Sequence, residues 1–166
     1  MTADEITFLD ESNKIEGVYD ADSLQQAQYA WEYLKKQKKL DRSVVLKTHK
    51  ILMLHQHLKP DEKGYFRKVD VMIAGRFGLT PFMIPQAMDQ WIINANDLIK
   101  NGKKETPEFL ERMIQEQHVK YERIHPHIDG NGRLGRCLMN WQRINSELPI
   151  LIIKADERQK YYQWFV

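Results

Sequence analysis

The chain has 166 residues, enough for one domain with a buried core and too few for two comfortable ones. Its 42% apolar and 29% charged residues exclude a disordered chain, and 25 basic against 23 acidic residues leave a net charge of +2, too weak a field to mark a nucleic-acid binder. The single cysteine, Cys137, excludes an internal disulfide and suits a reducing cytoplasm, while the lack of an eighteen-residue apolar run or an apolar leader predicts neither a membrane span nor a signal peptide.

Helical spacing dominates from the N-terminus onward. On a helix, Ser12 and Glu16 would stand one turn apart on one face, with Gly17 a fitting C-terminal stop. Asp22 or Ser23 can cap a second helix carrying Leu24, Ala27, Trp31 and Leu34, and the run KKQKK at 35–39 reads as its solvated end. Asp41 opens a third, with Val44, Val45, Thr48, Ile51 and Leu52 facing one way. Residues 64–82, GYFRKVDVMIAGRFGLTPF, break the helical pattern at Gly75 and Gly78 and predict a small hairpin over about 65–81. Pro85 suits a first helical position, followed by Met88, Trp91, Ile92 and Ala95 until Asn101-Gly102 stops the run. Thr106-Pro107 starts the next helix, which ends near Ile124. A loop from His125 to Gly132 then leads to a helix beginning near Arg133 and ending near Pro149, and a last helix starts near Asp156. The expected fold is mainly α, a single compact helical domain with one β-hairpin, with Trp31, Trp91 and Trp141 in its core.

The loop holds the densest chemistry, HPHIDGNGRLGR over 125–136. Gly130 and Gly132 let backbone N–H groups turn inward beside a helix N-terminus, whose dipole and unpaired donors favour an anion. Arg133 and Arg136, spaced i,i+3, can face the same anion. Asp129 beside phosphates makes sense if it carries a divalent metal that bridges them, and His125 is the evident base for deprotonating an attacking hydroxyl. Each part has a use in nucleotide chemistry.

This stretch resembles the signature of the Fic family, in which His-Pro-aromatic precedes an acidic residue, GNGR and a second arginine three residues on. The helices and the hairpin opening at Gly64, Tyr65, Phe66 and Arg67 are also similar to a Fic domain. The resemblance implies a compact helical Fic-like fold and transfer of AMP from ATP, with Mg2+ or Mn2+, to a hydroxyl side chain of a target protein. It implies His125 as general base, Asp129 as metal ligand, Gly130, Asn131 and Gly132 as the cradle of the α and β phosphates, Arg133 as their helper and Arg136 as the γ-phosphate clamp. Tyr161 and Tyr162 stand where the family closes its adenine pocket. The hairpin would be the flap on which the target's backbone adds a strand. SNKIEG, residues 12–17, resembles the family's inhibitory helix, expected over about 5–17 and marked by Ser12 and Glu16. The Glu16 carboxylate would then pair with Arg136 and remove the group that grips the γ phosphate. In some relatives that glutamate also serves AMP removal. Members often pair, so a homodimer is an expected partner state.

One position departs from the signature: His127 stands where the family usually has Phe. A flat imidazole can fill that space structurally. The rival reading takes His125-x-His127-x-Asp129 as the start of a binuclear metal hydrolase, with His49, His55, His57 or His118 as further donors, although His55 and His57 look solvated. That reading has no use for Arg133 with Arg136. A nucleotide-binding module without chemistry is the third class in view.

Overall fold

Capping chemistry sets most of the architecture in the computed structural model, which describes residues 1–73 and 75–166, the side chain of Arg76 apart. Helix α1 (Ala3–Ile15) opens on a capping box: Glu5 N–H donates to Thr2 Oγ1 at 3.2 Å, and the Glu5 carboxylate accepts from Thr2 N–H at 2.7 Å. Glu16 is its C-cap, and Gly17 turns the chain away at φ +72°. α2 (Ala21–Leu34) is capped by Asp20, not by Asp22 or Ser23, because the Asp20 carboxylate takes both the N–H and the hydroxyl of Ser23 at 2.7 Å. Asp41 caps α3 (Arg42–Leu52), Pro85 sits in the first turn of α4 (Ile84–Gly102), and Thr106 caps α5 (Pro107–Ile124), all as the spacing predicts.

The helix after the loop starts earlier than expected. α6 (Asn131–Asn145) takes Gly130, at φ +79°, as its N-cap, so Asn131 and Gly132 belong to its first turn. A last short helix, α7 (Arg158–Tyr162), lies between two 3-10 turns. The hairpin is smaller than the span 65–81 suggested: β1 (Met72–Ile73) pairs antiparallel with β2 (Arg76–Phe77), Met72 opposite Phe77 and Ile73 opposite Arg76.

α6 runs through the middle of the molecule, with Leu134, Cys137, Leu138 and Trp141 meeting Trp31, Leu34, Val45 and Met88 in the main core. α1 packs against α2 and α6, burying Phe8 and Leu9, and Phe8 meets Trp31 edge-on at 5.6 Å. All three core tryptophans find an acceptor for their indole N–H: Trp31 on Glu5, Trp91 on the Gln117 carbonyl, Trp141 on the Gln37 carbonyl. Lys35 is no solvated helix end. Its ammonium pairs with Glu5 at 3.0 Å and Glu32 at 2.6 Å, which ties α2 back to the start of α1. Among the described residues no helix is long and apolar enough to cross a membrane.

Candidate active site

The loop between α5 and α6 gets its shape from side chains that bond its backbone. α5 ends on His125, a non-glycine in the left-handed region at φ 49°, and Pro126 prevents the helix from continuing. Asn131 then staples the turn, its Oδ1 accepting from His127 N–H and its Nδ2 donating to His127 O, both at 2.9 Å. The Asn131 side chain therefore builds the cradle, and only its backbone N–H faces outward with those of Gly132 and Arg133 in the first turn of α6.

His127 fills the place of the usual aromatic. It is fully buried, stacked on His49 with ring centroids 3.7 Å apart and nearly parallel planes. Its Nδ1–H donates to Tyr65 O at 2.8 Å, and burial pushes its pKa well below the ordinary value, so the ring stays neutral. His49, a residue the sequence offered only as a spare donor, is fixed in one tautomer: its Nδ1 accepts from Gly64 N–H and its Nε2–H donates to Asp129 O, each at 2.9 Å. Burial lowers its pKa to about 4. Two neutral histidines thus hold the floor of the loop.

The HxHxD reading fails on this geometry. One His127 nitrogen is committed to Tyr65, the ring is sealed against His49, and among the described residues no three His, Cys, Asp or Glu side chains gather as metal ligands. His55 is not solvated either; its Nε2 lies 2.7 Å from the buried Ser23 hydroxyl. Asp129 differs. Its Oδ1 accepts from Gly130 N–H at 2.6 Å while the side chain stays 56% exposed, with Arg133 3.7 Å from Oδ2. A single open carboxylate beside phosphate donors fits a hard cation that keeps waters and shares phosphate oxygens.

The arginines are buried charges. Arg133 touches Met53 Sδ at 3.3 Å, and its Nε and Nη1 are buried without a protein partner, an arrangement that asks for an anion. Arg136, 1% exposed, donates from Nε to Ser12 Oγ and from Nη2 to Ser12 O, both at 2.8 Å, and from Nη2 to Glu16 Oε1 at 2.7 Å. The same Glu16 oxygen lies where a Cβ on Gly132 would have to go. Glu16 is thus pressed onto both the arginine and the first turn of α6, while its side chain remains 37% exposed.

His125 is half-buried. Its Nδ1 is buried with no partner, and its pKa is lowered, first by burial and also by the charge of Arg67. It is therefore mostly neutral at neutral pH, the state a base needs. Tyr161 and Tyr162 do not form an open wall. Tyr161 is buried, with its hydroxyl 2.8 Å from His118 Nε2 and accepting from Arg136 Nη1 at 3.3 Å, because α7 folds back beneath Arg136; only Tyr162 is exposed. Tyr161 supports Arg136 from behind. Glu122, absent from the sequence reading, lies under Gly135 with a buried, unpartnered Oε1; burial raises its pKa to about 8, so it is mostly protonated and does not compete with Glu16 for Arg136. Its position three residues before His125 was the one available hint.

A sequence model described as the Fic/DOC family matches residues 39–142. Over 121 residues the chain is 31% identical to the protein adenylyltransferase Fic of Drosophila ananassae, covering 69% of this chain and 23% of that protein; the Drosophila melanogaster protein of the same name matches at the same identity. The chain thus spans under a quarter of the length of these relatives. Among solved structures, a Fic domain containing signaling protein from Bacteroides thetaiotaomicron superposes with a TM-score of 0.79 at 19% identity, over 96% of this chain and 69% of that one. Fic-1 from C. elegans gives 0.78 at 18% identity, over 98% and 55%. These two likenesses bear on the fold.

Proposed function

The chain belongs to the Fic/DOC family, and from that membership we propose that it is a protein adenylyltransferase, moving AMP from ATP to a hydroxyl side chain of a target protein, with α1 as its own inhibitor. The target's hydroxyl oxygen attacks the α phosphorus. His125 Nε2, the ring nitrogen not sealed by burial, takes the hydroxyl proton; the new O–P bond forms as the bond from the α phosphorus to the α,β-bridging oxygen breaks, and pyrophosphate leaves. The N–H groups of Asn131, Gly132 and Arg133 and the unpartnered nitrogens of Arg133 hold the phosphates, and Arg136 grips the terminal one. Asp129 would hold Mg2+ or Mn2+, which when bound neutralises phosphate charge and steadies the leaving pyrophosphate. The target lies along the exposed hairpin, its backbone adding to a strand edge.

The observation that carries this reading is Glu16 lying on Arg136 and Gly132 together. A carboxylate occupies the seat built for a phosphate, as an inhibitory element should. The exposed side of Glu16, with only Oε1 engaged, also supports a second activity, orienting a water to remove AMP from a modified target. The test uses ATP labelled at the α or the γ phosphate, with Mg2+ and the Glu16→Gly protein. Incorporation of α label without γ label supports nucleotidyl transfer. ATP binding without any incorporation leaves the silent module. Release of AMP from a modified target by the parent, absent in Glu16→Gly, supports the removal activity.

A further inference from the structure

Arg67 has no part in the phosphate site, yet it is 3% exposed and bonds more backbone than any other side chain near the loop. Its Nε donates to His125 O at 2.7 Å and its Nη2 to Ile124 O at 3.4 Å, at the end of α5. The same guanidinium donates from Nη1 to Val69 O at 2.8 Å and from Nη2 to Leu79 O, the two feet of the hairpin. Its own N–H donates to Pro126 O at 2.9 Å. The last carbonyls of α5 have no helical partner and carry the negative end of the helix dipole, so a fixed cation satisfies both needs. Gly78 leaves room for it, since a Cβ there would come within 3.0 Å of Nη2. Among the described residues the hairpin's own backbone pairing is short: two residue pairs, and Gly78 N–H on Val71 O at 2.9 Å.

We propose that Arg67 is the positioning residue of the reaction, registering the flap and the left-handed end of α5 against one guanidinium so that the docked hydroxyl meets His125. The inference rests on the reading of His125 as base for AMP transfer. A planar fork can reach four carbonyls of two elements, whereas an ammonium on a flexible stem cannot hold both at once. The charge has a second effect. It disfavours protonation of His125, opposing Glu16 of α1, Asp129 of the loop and the Glu122 carbonyl of α5, which all favour it. Form and charge can therefore be separated by substitution.

The experiment takes the full chain with Glu16→Gly and adds either Arg67→Lys, which keeps the charge, or Arg67→Gln, which keeps a planar amide without it. Three quantities are read: AMP transfer with its ATP KM, hydrogen exchange at the Gly78 amide, and the NMR titration midpoint of His125. Both variants are expected to lose transfer on the order of a hundredfold in kcat with ATP KM unchanged, as a misplaced base does, and to exchange Gly78 faster. Only Arg67→Gln raises the His125 midpoint and carries the acid limb of the rate profile with it. Wild-type kcat in Arg67→Lys, or Gly78 exchange at the parent rate in it, overturns the proposal, and these readings decide the matter even if Arg67→Gln does not fold. If Glu16→Gly with Arg67 intact transfers no AMP, the enzyme reading fails; Gly78 exchange and the His125 midpoint then still decide whether Arg67 joins the flap to the base.

Discussion

Two elements reach the candidate site, α1 at Arg136 and the hairpin through Arg67 at His125, and they are attached in opposite ways. α1 is part of the core: Phe8, Leu9 and Ile15 are buried, Glu5 ties it to Trp31 and Lys35, and Glu11 accepts from Ala155 N–H at 2.7 Å. The flap is a thin ribbon with Phe77 77% exposed and Met72 and Val69 open beside it. A helix anchored this firmly does not lift off without exposing its apolar face to water. On the proposed reading, relief of inhibition comes from the Glu16 side chain, which lies past the last helical turn and is 37% exposed. The hairpin, in contrast, keeps apolar side chains exposed, which suits the docking role proposed for it.

The largest expected effect lies between the two regions. In a Glu16→Gly background, His125→Ala should reduce AMP transfer by roughly a hundredfold or more with ATP affinity retained. Mass of the modified target and calorimetric ATP binding measure the two; equal transfer would remove His125 from the chemistry. The next effect separates the regions by stability. Leu9→Ala should cost about 2–5 kcal/mol, the price of a cavity in a packed core, whereas Phe77→Ala should change stability by no more than about 0.5 kcal/mol and instead raise the KM for the target protein. Denaturant unfolding of both variants checks this, and a flap substitution as costly as Leu9→Ala would erase the contrast.

A smaller effect concerns pH on the Arg136 side. Burial lowers the pKa of His118 from 6.5 to about 3, so the native state refuses a proton that the unfolded chain binds. Its contribution to stability is full above pH 6.5 and falls as pH drops from 6.5 toward 3. Melting temperatures should therefore decline between pH 7 and 5, and His118→Gln should flatten that decline; an unchanged slope in the variant would contradict it.

Much of this was readable because it is local. Asp41, Thr106 and Pro85 announce helix starts by side-chain or ring chemistry acting within three residues, and Ser12 with Glu16 share a face by spacing alone. The start of α6 was misplaced because its N-cap is a left-handed glycine with no side chain to signal it, and Gly132 argues against helix although the close approach of Glu16 requires it. That Tyr161 lies buried against Arg136 is not legible in the sequence, because chain distance does not say which side of Arg136 a returning segment reaches. The support by His49 comes from 80 residues before Asp129, visible only as a histidine on the apolar face between Val45 and Leu52.

The central claim is that Glu16 sits in the seat of the terminal phosphate on Arg136. It is tested most directly by the initial rate of AMP transfer in the parent, in Glu16→Gly, and in Glu16→Gly combined with Arg136→Ala. If Glu16 blocks that seat, Glu16→Gly should raise the rate at least about tenfold, the worth of one charge-assisted bond, and the double variant should lose the gain. A Glu16→Gly protein no faster than the parent, or a double variant as fast as Glu16→Gly, would contradict the account.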